Sequence, residues 1–309
     1  MSETTAPAWD ADIALPEPRK NKPVTVGRRI EAGLFLGLLW LMGQMPIERA
    51  SDFLGKTMRV LGPLVRKVHK RGDANLRLIY PDMTQAERSA ILRDCWENVG
   101  RTMAEYAHIE ELADRVQVEN IDALREFTRG GKQAIYFSGH FANWEALGAM
   151  LRKEGAQFGS VYRAPNNALV DKKIIELRGK AMTRLQIPKG KRGGRDLLTA
   201  LKNGYSLTML VDQKLNDGIE VPLLGYPAMT APAAARLAKK MGIPLVPLQI
   251  IRRPGPRFVV TMHKPIEAGD RSVEEVTAEV NEVLGSFILA RPEQWLWFHR
   301  RWPAEITPA

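Results

Sequence analysis

The chain is poor in cysteine, with Cys95 alone among 309 residues. An internal disulfide is thereby excluded, as is a structural zinc site built on several cysteines. Cys95 falls in a helical stretch and reads as a core residue. So little thiol fits a reducing compartment, with the folded body facing the cytoplasm. Metal-ligand spacing is also missing. His69, His108, His263 and His299 form no His-Glu-x-x-His pattern, and no metal or other cofactor of the protein is expected. Gly-x-Ser-x-Gly is absent, so Ser138 is not a serine nucleophile on a strand-to-helix elbow. There is no paired Cys/His finger spacing, no RNP-like aromatic run and no arginine-rich tail, which argues against nucleic acid. No internal repeat is apparent.

What the chain does have is ordinary globular composition, 45% hydrophobic and 26% charged, enough to bury a sizeable core. Its formal net charge is +10. An excess of that size points to an anionic partner such as a membrane surface or a phosphate-bearing substrate. Residues 1–29 read as a flexible basic leader. Its early part carries Glu3, Asp10, Asp12 and Glu17, unlike a cleaved signal peptide. Arg19, Lys20, Lys22, Arg28 and Arg29 then gather ahead of the apolar run Ile30–Met45, which only Glu31 and Gln44 interrupt. That run is short of the roughly 20 residues a spanning helix needs. It fits a short or tilted span, an interfacial anchor or a buried core helix. The basic residues before it favour a membrane-attaching helix over 30–46.

Residues 47–309 are expected to form a single domain that opens with a helical layer. Ile47, Leu54, Met58, Leu61, Leu64 and Val68 recur at helical spacing, as do Ile91, Trp96, Val99 and Met103. Thr84, with Glu87 three residues on, reads as a capping box. The period then changes. Short apolar runs at 133–138, 158–162, 205–211, 245–251 and 257–262 read as strands. Helical patterns at 145–153, 168–185, 194–202 and 231–241 lie between several of them, and 273–289 closes the series. Such alternation predicts an α/β fold with a mostly parallel sheet flanked by helices.

The strongest local signal is Phe137-Ser-Gly-His140-Phe-Ala-Asn-Trp-Glu145. His140 sits where a strand gives way to a helix, the edge at which open α/β sheets bind ligands. An imidazole there is suited to removing a hydroxyl proton near neutral pH. Glu145 is expected to hold the ring in one tautomer and to stabilise the imidazolium. On the pair alone, a structural histidine with a glutamate at a helix start is the commoner arrangement.

The surroundings resemble a family. His140-x4-Glu145 after an apolar strand is similar to the H-x4-D/E motif of membrane acyltransferases. Four flanking segments narrow the resemblance to the lipid A late acyltransferases, the lauroyl/myristoyl branch: Asn75–Pro81, Val161–Asn166, Leu210–Gln213 and Val221–Thr230. The terminal Gln294–Trp302 resembles the family's closing signature. The likeness runs in order from about Gly27 to Trp302.

The resemblance implies a glycerophosphate-acyltransferase-like fold and an N-terminal membrane helix at the cytoplasmic face of the inner membrane. It implies acyl transfer from acyl carrier protein to a 3-hydroxyacyl hydroxyl on a lipid A precursor. His140 would be the base, Glu145 its partner, and the donor's phosphopantetheine arm the sole prosthetic group involved. Arg163 and Asn166, just past a strand, match a Tyr-Arg-x-x-Asn context. The guanidinium there suits a developing oxyanion or a phosphate. Asp212 and Gln213, beyond another strand, are expected to shape the same pocket. Lys189, Lys191, Arg192 and Arg195, spaced by Gly190, Gly193 and Gly194, read as a basic glycine-rich turn for phosphates or sugar carboxylates. Leu223-Leu224-Gly225 stands where the family often has two Phe, which bears on acyl-chain fit. Alanines after Pro232 replace a glycine often found there, which bears on local helix packing. Another lipid acceptor, a thioesterase using the same pair, and a non-catalytic membrane-anchored binding protein remain open at this point.

Overall fold

The computed structural model describes residues 10–16 and 24–308, apart from the side chains of Lys191 and Arg192. Arg19, Lys20 and Lys22 of the leader therefore lie outside the described residues. Ten α-helices are described: α1 Val26–Gly43, α2 Ile47–Leu61, α3 Arg66–Ile79, α4 Gln85–Glu105, α5 Ile121–Thr128, α6 Glu145–Lys153, α7 Ala168–Ala181, α8 Lys191–Lys202, α9 Ala233–Met241 and α10 Val273–Ala290. The strands are β1 Val116–Glu119, β2 Ile135–Ser138, β3 Phe158–Tyr162, β4 Gln186–Pro188, β5 Ser206–Leu210, β6 Lys214–Leu223, β7 Tyr226–Thr230, β8 Leu245–Arg253 and β9 Arg257–Met262.

Seven strands form one sheet in the order β1-β9-β8-β2-β5-β3-β4. Every pairing in it is parallel except β8 with β9. The interior strands read as unbroken apolar runs because both faces are covered: Ile135, Tyr136 and Phe137 are each at most 1% exposed. The α/β architecture expected from the alternation is the one observed. The capping box at Thr84 also forms, with the Glu87 carboxylate accepting from the Thr84 backbone N–H at 2.8 Å.

The elements missed in the sequence have little apolar signal. β1 is a four-residue edge strand that alternates Val with Gln and Glu, and β4 is three residues ending in Pro188. Strand β6 is mostly exposed, and Pro222 and Pro227 fall inside the β6–β7 ribbon. Leu224 and Gly225 turn its tip with φ of 52° and 81°, the left-handed pair that a two-residue hairpin requires. Leu223-Leu224-Gly225, where the resembling family often has two Phe, is therefore the tip of a hairpin, and Leu224 packs on Gly285 of α10. The expected glycine-rich basic turn is also corrected. Gly190 makes the turn, whereas Gly193, Gly194 and Arg195 lie within α8. The alanines after Pro232 start α9, with Ala234, Ala235 and Ala238 buried.

At the N-terminal end, part of the expected leader is docked. Asp10 is fully buried and accepts from Arg152 at 3.0 Å, and Leu15 packs near Tyr162, Ala164 and Ile175. Helix α1 buries Ala32, Leu39 and Met42 but leaves Val26, Ile30, Leu34, Trp40 and Leu41 exposed at helical spacing. The apolar exposure continues through Phe53, Val60 and Leu61 of α2 to Leu64 and Val65. The core-helix reading of this run is not what the structure has. No helix among the described residues is long and apolar enough to cross a membrane.

Candidate active site

Register builds the site. β2 and β5 are parallel neighbours with Ser138 opposite Leu210. Two residues past each partner lie His140 and Asp212, so equal offsets from paired positions bring the two side chains together. On the outer strands Tyr162 of β3 faces Pro188 of β4, and one residue past these lie Arg163 and Lys189. Four adjacent strand ends thus deliver an imidazole, a carboxylate and two cations to one edge of the sheet, the edge where such folds bind ligands.

Asp212 is 1% exposed and carries three bonds. It accepts from His140 Nδ1 at 2.8 Å, from the His140 backbone N–H at 2.8 Å and from Trp295 Nε1 at 2.9 Å. Burial opposes its charge, but His140 beside it and the donated bonds hold its pKa well below the usual carboxylate range. With Nδ1 donating to a carboxylate, the neutral ring presents its Nε2 lone pair outward. Gly139 is needed here for space: a Cβ would stand 3.0 Å from Asp212 Cγ and 2.7 Å from the Phe141 ring. The loop that follows is held by its backbone. Ala142 has φ of 45°, and its carbonyl accepts from Asn98 at 2.9 Å and Thr102 at 3.0 Å. Asn143 donates to the buried Glu105 at 2.8 Å, and Glu105 also pairs with Arg252 and Ser51.

The place beside the His140 ring expected for Glu145 is taken by Asp212. Glu145 opens α6 and is buried, but its carboxylate pairs with Arg178 of α7, with Arg178 Nε at 2.9 Å. Trp144 Nε1 also donates to it at 3.0 Å, and the Trp144 ring meets His140 edge-on at 4.9 Å between centroids. Glu145 thus reaches the imidazole only through a neighbour. Burial alone would lower the Arg178 pKa, but the Glu145 charge raises it. The pair is a desolvated, two-sided ion pair that joins α6 to α7.

Gln213 is brought into the centre: its amide nitrogen lies 3.2 Å from His140 Nε2 and 3.1 Å from His299 Nε2. Arg163 and Lys189 are exposed at the rim. The Lys189 amine reaches toward the Leu210 carbonyl at 3.5 Å; desolvation lowers its pKa, and Arg163 acts in the same direction. Asn166 is exposed, whereas its neighbour Asn167 is buried, caps α7 and donates to the Arg28 carbonyl. Arg195 is exposed on α8, and the Lys191 and Arg192 side chains lie outside the described residues.

Two contributors escaped the sequence reading, Trp295 and His299. Both lie in the terminal segment Gln294–Trp302, where histidines were weighed only for metal spacing. That segment ties the site together. Leu296 donates to the His140 carbonyl at 3.1 Å, and Ala142 donates to the Gln294 carbonyl at 2.9 Å. Asn75 donates to the carbonyls of Trp297 and His299 at 2.7 Å each. Burial, then the neighbouring His140 charge, pushes the His299 pKa down to about 4. Among the described residues no group of three His, Cys, Asp or Glu is placed to hold a metal ion.

Comparison with known proteins gives this edge its context. The sequence profile of the bacterial lipid A biosynthesis acyltransferases matches residues 18–304. The lipid A biosynthesis lauroyltransferase of Escherichia coli (strain K12) is 30% identical over 288 residues, covering 87% of this chain and 90% of that protein. Lipid A biosynthesis acyltransferase 1 of Shigella flexneri is 25% identical over 296 residues, covering 89% and 90%. A solved 1-acyl-sn-glycerophosphate acyltransferase from Thermotoga maritima overlaps 86% of this chain and 98% of its own, at 15% identity and a TM-score of 0.38. That overlap is too loose to bear on the chemistry. A profile matched along nearly the whole chain identifies it as a member of the bacterial lipid A biosynthesis acyltransferases, enzymes that transfer an acyl group in the making of lipid A and lipopolysaccharide.

Proposed function

We propose that the chain moves a fatty acyl group from acyl carrier protein to the hydroxyl of a 3-hydroxyacyl chain on a lipid A precursor, with His140 as general base and Asp212 as its partner. The observation that carries this is the Asp212–His140 Nδ1 bond of 2.8 Å, which leaves Nε2 as a proton acceptor at the ligand-binding edge. The hydroxyl gives its proton to Nε2 as its oxygen bonds to the thioester carbonyl carbon. The tetrahedral centre collapses, the carbon–sulfur bond breaks, and the departing sulfur takes the proton back from Nε2. Asp212 stabilises the imidazolium between these steps without being protonated itself. No covalent enzyme intermediate is needed.

Arg163 and Lys189, exposed one residue past neighbouring strands, suit the phosphates of such an acceptor. Arg71 donates to the Phe298 carbonyl at 3.1 Å and its charge acts on the neighbouring His299. The exposed apolar stripe of α1 and α2 supports attachment to the inner membrane from the cytoplasmic side, with the exposed Arg29 on α1 for anionic headgroups. Attachment along the surface accounts for the stripe better than spanning does.

The test is one assay. Purified protein receives a set of acyl carrier protein thioesters and a Kdo-bearing lipid A precursor, and the products are weighed by mass spectrometry. One acyl chain of added mass on the acceptor is expected. Free fatty acid without acylated acceptor would make the chain a thioesterase, and transfer confined to other lipids would overturn the acceptor.

A further inference from the structure

Gln213 and His299 form a unit that base catalysis by His140 does not itself use. Counting hydrogens fixes their roles. An amide nitrogen only donates. Asp212 binds His140 Nδ1–H, so His140 Nε2 accepts one amide hydrogen of Gln213 at 3.2 Å. The second amide hydrogen goes to His299 Nε2 at 3.1 Å, which must likewise be an unprotonated acceptor. The two rings are 5.6 Å apart between centroids and tilted by 59°, with the amide between them. His299 is thus held neutral, its proton on Nδ1.

The Gln213 amide occupies the position an acceptor hydroxyl must take to reach His140 Nε2. When the hydroxyl arrives and donates to Nε2 instead, one amide hydrogen is set free. The amide stays in place through its other hydrogen, on His299. The freed hydrogen then lies beside the carbon under attack, where a thioester carbonyl oxygen becomes an oxyanion. Arg163 was the sequence candidate for that task, but it is exposed at the rim. Gln213 touches the base itself.

We infer that the Gln213 amide is the oxyanion donor of the acyl transfer and that His299 is the positioning residue that aims it. The inference rests on the proposed role of His140 and deepens it. As the hydroxyl oxygen bonds to the carbonyl carbon, the carbonyl π pair moves onto oxygen and is met by the Gln213 N–H. The pair returns when the carbon–sulfur bond breaks, and the amide finishes as it began. Only a neutral His299 can serve. An imidazolium would present N–H to N–H, and Gln213 would have to turn its oxygen inward. The charged and titratable groups that act on His299 are His140, Asp212, Arg71 and Arg163, three of them basic. Burial and the three basic groups oppose its protonation and outweigh Asp212, which favours it.

The test is steady-state kinetics of acyl transfer on purified full-length variants, with melting temperatures measured alongside. Gln213→Ala is expected to lower kcat by about 10²- to 10³-fold with KM within about threefold, the range for losing one preorganised oxyanion donor. Gln213→Glu keeps the shape and places a negative charge at the oxyanion, so it should fall at least as far. His299→Phe should lower kcat by roughly tenfold or more, and His299→Gln, which restores an acceptor, should recover most of the loss. The double variant Gln213→Ala/His299→Phe should be no slower than Gln213→Ala alone, since His299 acts through the amide. A wild-type kcat in Gln213→Glu, a change confined to KM, or losses that multiply in the double variant would each overturn the inference. His140→Ala, run in parallel, separates the two levels. If it abolishes transfer while both Gln213 variants stay fully active, only this inference fails. If it stays active, the base assignment itself fails.

Discussion

Replacing Asp212 by asparagine tests the partner assignment through the tautomer of one ring. Three N–H donors converge on Asp212, two of them, the His140 backbone and Trp295, on the same oxygen. In Asp212→Asn the amide oxygen is expected to keep those two. The new NH2 then faces His140 Nδ1, 2.8 Å away, and can only donate to it. The ring must move its proton to Nε2, and the base loses its lone pair. General-base assistance is worth about 10²- to 10⁴-fold, and inverting a histidine tautomer removes most of it. A fall in kcat of about 10²- to 10⁴-fold follows, or about 2.7–5.5 kcal/mol of barrier. The lost charge-assisted bonds should cost roughly 1.5–3 kcal/mol of stability. The contrast is Glu145→Gln, which leaves the buried Arg178 charge without its partner and should cost roughly 3–5 kcal/mol of folding stability. Its kcat per folded molecule should fall far less than that of Asp212→Asn. Acyl transfer by mass spectrometry, circular dichroism melts and a pH–rate profile decide the matter. Asp212→Asn within tenfold of wild type, or Glu145→Gln inactive at unchanged melting temperature, would refute the reasoning.

Three further outcomes are expected. Gly139→Ala pushes a methyl against Asp212 and Phe141; it should reduce transfer by at least about tenfold through a sub-ångström shift of the His140 loop, and wild-type kinetics would show that the loop has slack. Stability should fall on acidification between about pH 6.5 and 4. His299 is held neutral down to about 4 in the folded chain, whereas the unfolded chain binds that proton near 6.5. Its contribution is complete above 6.5 and lost downward by up to roughly 3 kcal/mol, a slope that His299→Gln should flatten in melts across that range. Asp212, depressed below the usual carboxylate range, adds a loss only at stronger acid. Leu34→Glu and Trp40→Glu, on the exposed stripe of α1, should each weaken partitioning onto anionic vesicles by roughly tenfold in sedimentation, and unchanged binding would remove α1 from the membrane contact.

The α/β architecture was legible because β2, β3, β5, β8 and β9 are apolar runs separated by helical periods. Residues just past β2, β3 and β5, namely His140, Arg163, Asp212 and Gln213, make up most of the candidate site. What the sequence hid was pairing at a distance. His140 and Glu145 are five apart and invited a local dyad, yet the helix begins at Glu145 and turns its carboxylate to Arg178. The partner Asp212 lies 72 residues away and becomes adjacent only through the Ser138–Leu210 register. His299, in an aromatic tail with no strand or metal spacing around it, had no local signal at all. The β6–β7 ribbon was missed for another reason: it is solvated on much of its surface and carries no apolar alternation.

The most direct test of the central claim is the rate of acylated-acceptor formation by His140→Ala, measured by mass spectrometry against wild type with the same thioester and lipid A precursor. A fall of at least about 10²-fold, with a folded melting profile and KM little changed, is the predicted result. Product formed at the wild-type rate would contradict it.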